Sequence, residues 1–372
     1  MRIGIDYRPV TAAPFSGIAR QVVALDQALS SRLGVEVLRF SAGPADHPDR
    51  AIAHFPLWSS PVNGLHRPQE RMKFEFGYLP DALREMSPDV YIATANIGLP
   101  VWRTPRRIRY ALLLHDVFQL TETNRHAHWG KAMAYRLIDR WSIRQSVALA
   151  DQIWSPSKFT VREASRLFPG DAMRMHVLPN AVPERMTSDT HGASRRPYWL
   201  MVGTREPRKN ITWFLDQWEA ARIERPMSVP ELILVGHEAD IPEDRRGLPG
   251  LHFLNTLSDD DLIDLYAGAD RLWQPSRAEG FGLPVVEALG QGTPVAVAQG
   301  SALDEVAPAD AVRFDPADGM ALRRLMLTLA DVGRLTGEDP ALLRQWAARF
   351  GMPEYTKRVW TLIDQLLTGE AS

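Results

Sequence analysis

Short apolar runs alternate with stretches of helical period along almost the whole chain. The runs that predict strands are Ile3–Asp6, Val35–Phe40, Val90–Thr94, Tyr110–Leu114, Gln152–Trp154 and Met175–Leu178. After a break they resume with Trp199–Val202, Leu232–Val235, Leu251–Leu254, Leu272–Trp273, Val295–Val297 and Val312–Phe314. Ile18, Val22, Leu25 and Leu29 fall on one helical face, and Ile211, Phe214, Leu215 and Trp218 repeat that stripe later. Parallel strands need long crossover connections, so this alternation predicts an α/β fold, a parallel sheet with helices on both faces.

The alternation fails between Pro183 and Pro197, where the run Glu184 to Gly192 is polar and aperiodic. The predicted organisation is a first doubly wound domain over residues 1–182, a linker over 183–197 and a second such domain over 198–350. Residues 351–372 are expected to form a terminal helix, set off by Gly351-Met352-Pro353. Two Rossmann-like halves place the default ligand site in an interdomain cleft.

A chain of 372 residues, 45% hydrophobic and 24% charged, can bury a core in each of two soluble domains. A net charge of −2 supplies no basic field for nucleic acid. The absence of cysteine excludes disulfides, thiolate metal sites and a cysteine nucleophile, and fits a reducing compartment. The opening Met1-Arg2-Ile3-Gly4-Ile5-Asp6 reads as a strand, and no apolar run approaches the roughly 18 residues of a membrane span. The expectation is a cytoplasmic protein with at most peripheral contact on the inner face of the membrane.

The densest chemistry lies in Pro275-Ser276-Arg277-Ala278-Glu279-Gly280-Phe281-Gly282-Leu283-Pro284-Val285-Val286-Glu287-Ala288. A strand ends at Trp273, two glycines follow, and Pro284 suits the first position of a helix. Glycines let a backbone approach a ligand closely, and a helix N-terminus favours phosphate. Glu279 precedes this turn and Glu287 is expected in the first helical turn, so a carboxylate lies on each side of the anion site. A sugar nucleotide, with hydroxyls at both ends of a pyrophosphate, matches that order. The competing reading is a plain tight turn with Glu287 on the surface; a dinucleotide fingerprint fails because Val285 occupies its third glycine position. Asp259-Asp260-Asp261 imitates a metal-binding D-x-D, but Ser258 with Asp261 reads as a capping box. His126 and His128, two apart, point to different sides of a helix and read as structural.

Glu279-Gly280-Phe281-Gly282-Leu283-Pro284 followed by Glu287 resembles the E-x(7)-E signature of glycosyltransferase family 4, the group 1 transferases of GT-B fold. Further matches keep the family order: Ser16-Gly17-Ile18-Ala19-Arg20, His115-Asp116, Leu178-Pro179-Asn180, Val202 to Asn210, and Gly292-Thr293-Pro294-Val295. The resemblance implies that Lys209 and Arg208 clamp the donor diphosphate and that Glu287 binds ribose hydroxyls. It implies that Glu279 and His115 lie at the donor sugar as the catalytic pair. Gly280, Phe281, Gly282 and Leu283 would offer backbone to sugar and phosphate, and Gly17 would let its loop close over the phosphate. Ser16, Ala19, Ala181 and Asn255 stand where the family usually has glycine.

The signature also implies retention of anomeric configuration, by front-face displacement or, alternatively, by double displacement with Glu279 as nucleophile. Glu206-Pro207-Arg208-Lys209-Asn210 resembles mannosyl- and rhamnosyltransferases of bacterial surface polysaccharide synthesis, which favours a GDP-sugar over a UDP-hexose. No cofactor or metal is expected, because fixed cations can neutralise the leaving diphosphate. The expected acceptor is a glycan or lipid-linked oligosaccharide. Arg103, Arg106, Arg107 and Arg109, with Phe55–Trp58, read either as a membrane-docking element or as a solvated loop. A sugar-nucleotide epimerase of the same fold and a noncatalytic partner subunit are the remaining readings.

Overall fold

A computed structural model describes residues 1–14, 16–41, 68–104, 107–121, 129–183, 198–204, 206–332 and 339–369. The linker beyond 183, Phe55–Trp58, Arg106 and His126–His128 lie outside these residues. The chain divides into two units, one of Met1–Ala181 with Met352–Ser372 and one of Val182–Gly351.

The first unit holds β1 (Arg2–Asp6), β2 (Glu36–Phe40), β3 (Val90–Ala93), β4 (Arg109–Leu113), β5 (Gln152–Ser155) and β6 (Met175–Val177). They form one parallel sheet in the order β2-β1-β3-β4-β5-β6. Alternate residues serve opposite faces, and both faces are apolar. Ile3, Ile5, Val90, Ile92, Ala111 and Leu113 pack with the helix Gly17–Ser30 and the last helix, Met352–Thr368. Leu38, Phe40, Tyr91, Ala93, Tyr110 and Leu112 form the core on the other side.

The second unit holds β7 (Tyr198–Val202), β8 (Glu231–Val235), β9 (Leu251–Leu254), β10 (Arg271–Gln274), β11 (Val295–Ala298) and β12 (Val312–Phe314), all parallel. Their order is β12-β11-β10-β7-β8-β9, so the winding reverses between β7 and β10. In the first sheet it reverses between β1 and β3. Open α/β sheets bind ligands beyond the carboxyl ends of the strands at such reversals, because crossover helices leave on opposite faces there and open a crevice. The stripe Ile211, Phe214, Leu215 and Trp218 is the buried face of the helix Ile211–Glu224.

Candidate active site

The reversal in the second sheet brings together two loops that are distant in sequence. The loop after β7 tightens into a 3₁₀ turn, Pro207–Lys209, and Asn210 then starts the helix Ile211–Glu224 from a left-handed conformation, φ 59°. The loop after β10 carries Ser276 and Glu279 to the helix Leu283–Gly290. A backbone hydrogen bond from Arg277 N to Arg208 O, 2.8 Å, ties the two loops.

Glu279 is the hub of this junction. Its Oε1 accepts from Lys209 Nζ at 2.6 Å, Ser276 Oγ at 2.8 Å and Gln274 Nε2 at 3.0 Å. Its Oε2 accepts from Arg208 Nη1 at 2.6 Å, and the same guanidinium reaches Ala278 O and Glu206. Arg208 and Lys209 keep only 13% and 14% of their side-chain surface, so they are not the solvated basic pair of a helix start. Burial alone pushes the Glu279 carboxyl up; the charges of Lys209 and Arg208 overcome this and hold it down at about 2. The result is a fixed anion with two cations gathered on it, a store of positive charge for a ligand that carries phosphate.

Gly282 begins the signature helix at φ 105°, and a Cβ there would lie 2.6 Å from Leu303 Cδ2. Both facts demand glycine. Leu283 is the first helical residue and Pro284 the second. Gly280 and Phe281 are buried in the same turn, Phe281 edge-on to Phe350 at 5.5 Å. Glu287 falls one residue beyond the first turn, which contains no acid. That corrects the expectation of a first-turn position, since the helix already begins at Leu283. There Glu287 accepts a hydrogen bond from Tyr266 Oη at 2.8 Å.

The first unit holds Gly17 and His115. Gly17 is the first residue of its helix, and Ser16 caps it by accepting from Ala19 N at 3.1 Å. The serine that departs from the family glycine thus supplies a cap that glycine lacks. His115 follows β4 and joins a ladder across the carboxyl ends of neighbouring strands. Thr94 Oγ1 donates to Asp6 O at 2.6 Å, and His115 Nε2 lies 2.8 Å from Thr94 O. A carbonyl oxygen only accepts, so Nε2 carries the ring proton. Burial lowers the imidazole pKa, against the raising effect of the Thr94 bond. A neutral ring then leaves Nδ1 as an acceptor.

Gln274, Tyr266 and the buried pair Asp6–Arg8, whose Arg8 Nη2 meets Asp6 Oδ2 at 2.6 Å, were not singled out from the sequence. Gln274 leaves a signal, a polar residue directly after the apolar pair Leu272-Trp273 at the carboxyl end of a buried strand; Tyr266 leaves none, because an aromatic in a helical stripe reads as core. Ser258 and Asp261 form the expected capping box, with bonds of 3.1 and 3.2 Å. Among the described residues, no group of three His, Asp or Glu is placed to hold a metal, and no helix is long and apolar enough to cross a membrane. Of the basic run, Arg103 and Arg109 both turn to Asp151, at 2.7 and 3.8 Å, and Arg107 is exposed.

Residues 15–185 match the profile described as Glycosyltransferase Family 4, and residues 196–331 match Glycosyl transferases group 1. The chain belongs to the group 1 glycosyltransferases. Among curated relatives of this family member, the O-antigen chain mannosyltransferase B of Escherichia coli is 33% identical over 194 residues, 48% of this chain and 51% of that protein. The MMP alpha-(1->4)-mannosyltransferase of Mycolicibacterium hassiacum is 30% identical over 213 residues, 54% of this chain and 48% of that one. The chain therefore spans about half the length of the curated relatives it matches. The solved sucrose-phosphate synthase of Thermosynechococcus elongatus superposes with a TM-score of 0.75 over 100% of both chains at 18% identity, a likeness of GT-B fold.

Proposed function

We propose that this family member is a retaining hexosyltransferase. It moves a mannose- or rhamnose-type sugar from a GDP-sugar to a glycan or lipid-linked acceptor in surface polysaccharide synthesis. The observation that carries the reading is the junction of Lys209, Arg208 and Glu279 at the winding reversal of the second sheet. The mannosyltransferase relatives support the choice of sugar.

In this reading the donor diphosphate draws Lys209 and Arg208 from Glu279. The two cations then stabilise the charge that builds on the leaving oxygen as the anomeric C–O bond breaks. The acceptor oxygen bonds to that carbon on the same face, and its proton passes to the departing phosphate oxygen. Glu279 stays ionised, held by Gln274 and Ser276. The bonds that remain, from Gln274 and Ser276, blunt it as a nucleophile, which favours front-face displacement over a covalent intermediate. Glu287, oriented by Tyr266, receives the ribose hydroxyls. Neutral His115 meets the donor sugar through Nδ1. Peripheral attachment to the inner membrane face accompanies a lipid-linked acceptor.

The test is product analysis with a panel of GDP- and UDP-sugars, with and without glycan-lipid acceptors, followed by NMR assignment of the new anomeric centre. Retained configuration with a GDP-sugar is expected. Transfer only from UDP-hexoses would overturn the donor, inversion the mechanism, and isomerised free sugar nucleotide the transferase reading itself.

A further inference from the structure

We infer that the first unit docks on an anionic lipid bilayer through an aromatic–arginine face centred on Phe76, whose cations are Arg140 and Arg144 and not the Arg103–Arg109 run. The proposal rests on the lipid-linked acceptor reading and names the surface that would bring the enzyme to it.

Phe76 stacks on Trp141 with ring centroids 5.9 Å apart and meets Trp102 edge-on at 5.8 Å. Trp102 and Trp141 are 49% and 43% exposed, and Leu137 and Met72, one helical turn from Trp141 and Phe76, are 61% and 40% exposed. These are large apolar side chains left in water as a group, the arrangement that marks an interaction surface. Among residues 137–149 of the helix Trp129–Leu149, the exposed positions are Leu137, Arg140, Trp141, Arg144 and Ala148, which share one face. Over these described positions the face is apolar and cationic at once and bears no acid.

Glu75 is buried, and the part-exposed carboxylates Asp139, Glu70 and Asp151 are engaged. Asp139 binds Arg71 at 2.5 Å, Glu70 binds Lys73 at 3.0 Å, and Asp151 holds Arg103. Arg140 and Arg144 enter none of the ion pairs among the described residues. Tryptophan at the headgroup level, leucine and methionine below it and unpaired arginines toward phosphate are the chemistry of an interfacial anchor. A protein partner would need a complementary acidic, apolar surface; a leaflet of anionic lipid supplies both layers without further specificity. The Arg103–Arg109 run fits this role less well, because Asp151 neutralises part of its charge.

The experiment is co-sedimentation of the full chain with vesicles of phosphatidylglycerol and phosphatidylcholine, and with phosphatidylcholine alone. Binding is expected only to the anionic vesicles and to weaken with salt. At roughly 1 kcal/mol per arginine near an anionic surface, R140A/R144A should lose on the order of 25-fold in partitioning. W102A/W141A should lose binding too. If that pair fails to fold, the single variants W102F and W141F, each tested with brominated lipids, should show less tryptophan quenching than wild type. GDP affinity and donor hydrolysis by water should stay unchanged in these variants, which separates failed docking from failed catalysis. Absence of binding to anionic vesicles at low salt, equal binding to both vesicle types, unchanged partitioning of R140A/R144A, or self-association through this face would overturn the proposal.

Discussion

Replacing Glu279 by glutamine keeps its volume and removes the charge on which Lys209 and Arg208 converge. A carboxyl held at about 2 rather than 4.5 is favoured in its ionised form by about 3 kcal/mol, at 1.36 kcal/mol per pH unit. Breaking a buried ion pair from one side costs roughly 3–5 kcal/mol, an independent route to the same size. Glu279→Gln should therefore destabilise the second unit by about 3 kcal/mol at pH 7. Urea unfolding read by tryptophan fluorescence measures this as a midpoint lowered by roughly 1–2 M, for a slope near 2 kcal/mol/M. The sign with pH follows from the depressed folded-state value. The stabilisation is complete above about 4.5 and disappears as pH falls toward 2, so wild type and variant should converge across that window. The same variant should bind GDP at least as tightly as wild type, because the diphosphate no longer competes with a carboxylate, yet transfer sugar more slowly. A stability difference equally large at pH 7 and pH 3, or one below about 1 kcal/mol at pH 7, would refute the charge argument.

Lys209→Ala should lower the maximal transfer rate by about 10²–10³-fold with a smaller change in KM, because the cation meets more charge in the transition state; steady-state kinetics with a fall confined to KM would show a binding role alone. Glu287→Ala should weaken nucleotide affinity about tenfold, and Tyr266→Phe about fivefold for the loss of one hydrogen bond worth roughly 1 kcal/mol, both read by calorimetric titration with GDP and UDP. Transfer should survive excess EDTA, and Asp259→Asn should cost little activity, since Lys209 and Arg208 can supply the charge that a metal would bring. Abolition by chelator with rescue by magnesium or manganese would reverse that expectation.

All twelve strands among the described residues could be read from the sequence within a residue or two at each end, because strands buried on both faces appear as largely apolar runs. Local patterns also sufficed where the chemistry is local: the Ser258–Asp261 box and the stripes of the helices Gly17–Ser30 and Ile211–Glu224. Glu279, Lys209, Arg208 and Glu287 were recognisable as types at a spacing, but their partners were not. Strand order is set by which apolar faces pack together, and no window of sequence records it. Only the pairing of β7 with β10 brings residues 208 and 209 to residue 279 and turns three separate charges into one hydrogen-bonded cluster. The same holds for Tyr266 on Glu287, Asp151 on Arg103 and the stacking of Trp141 on Phe76. Secondary structure follows from short-range periodicity and propensity. The site and the exposed aromatic face are long-range packing facts, decided only when the sheets close.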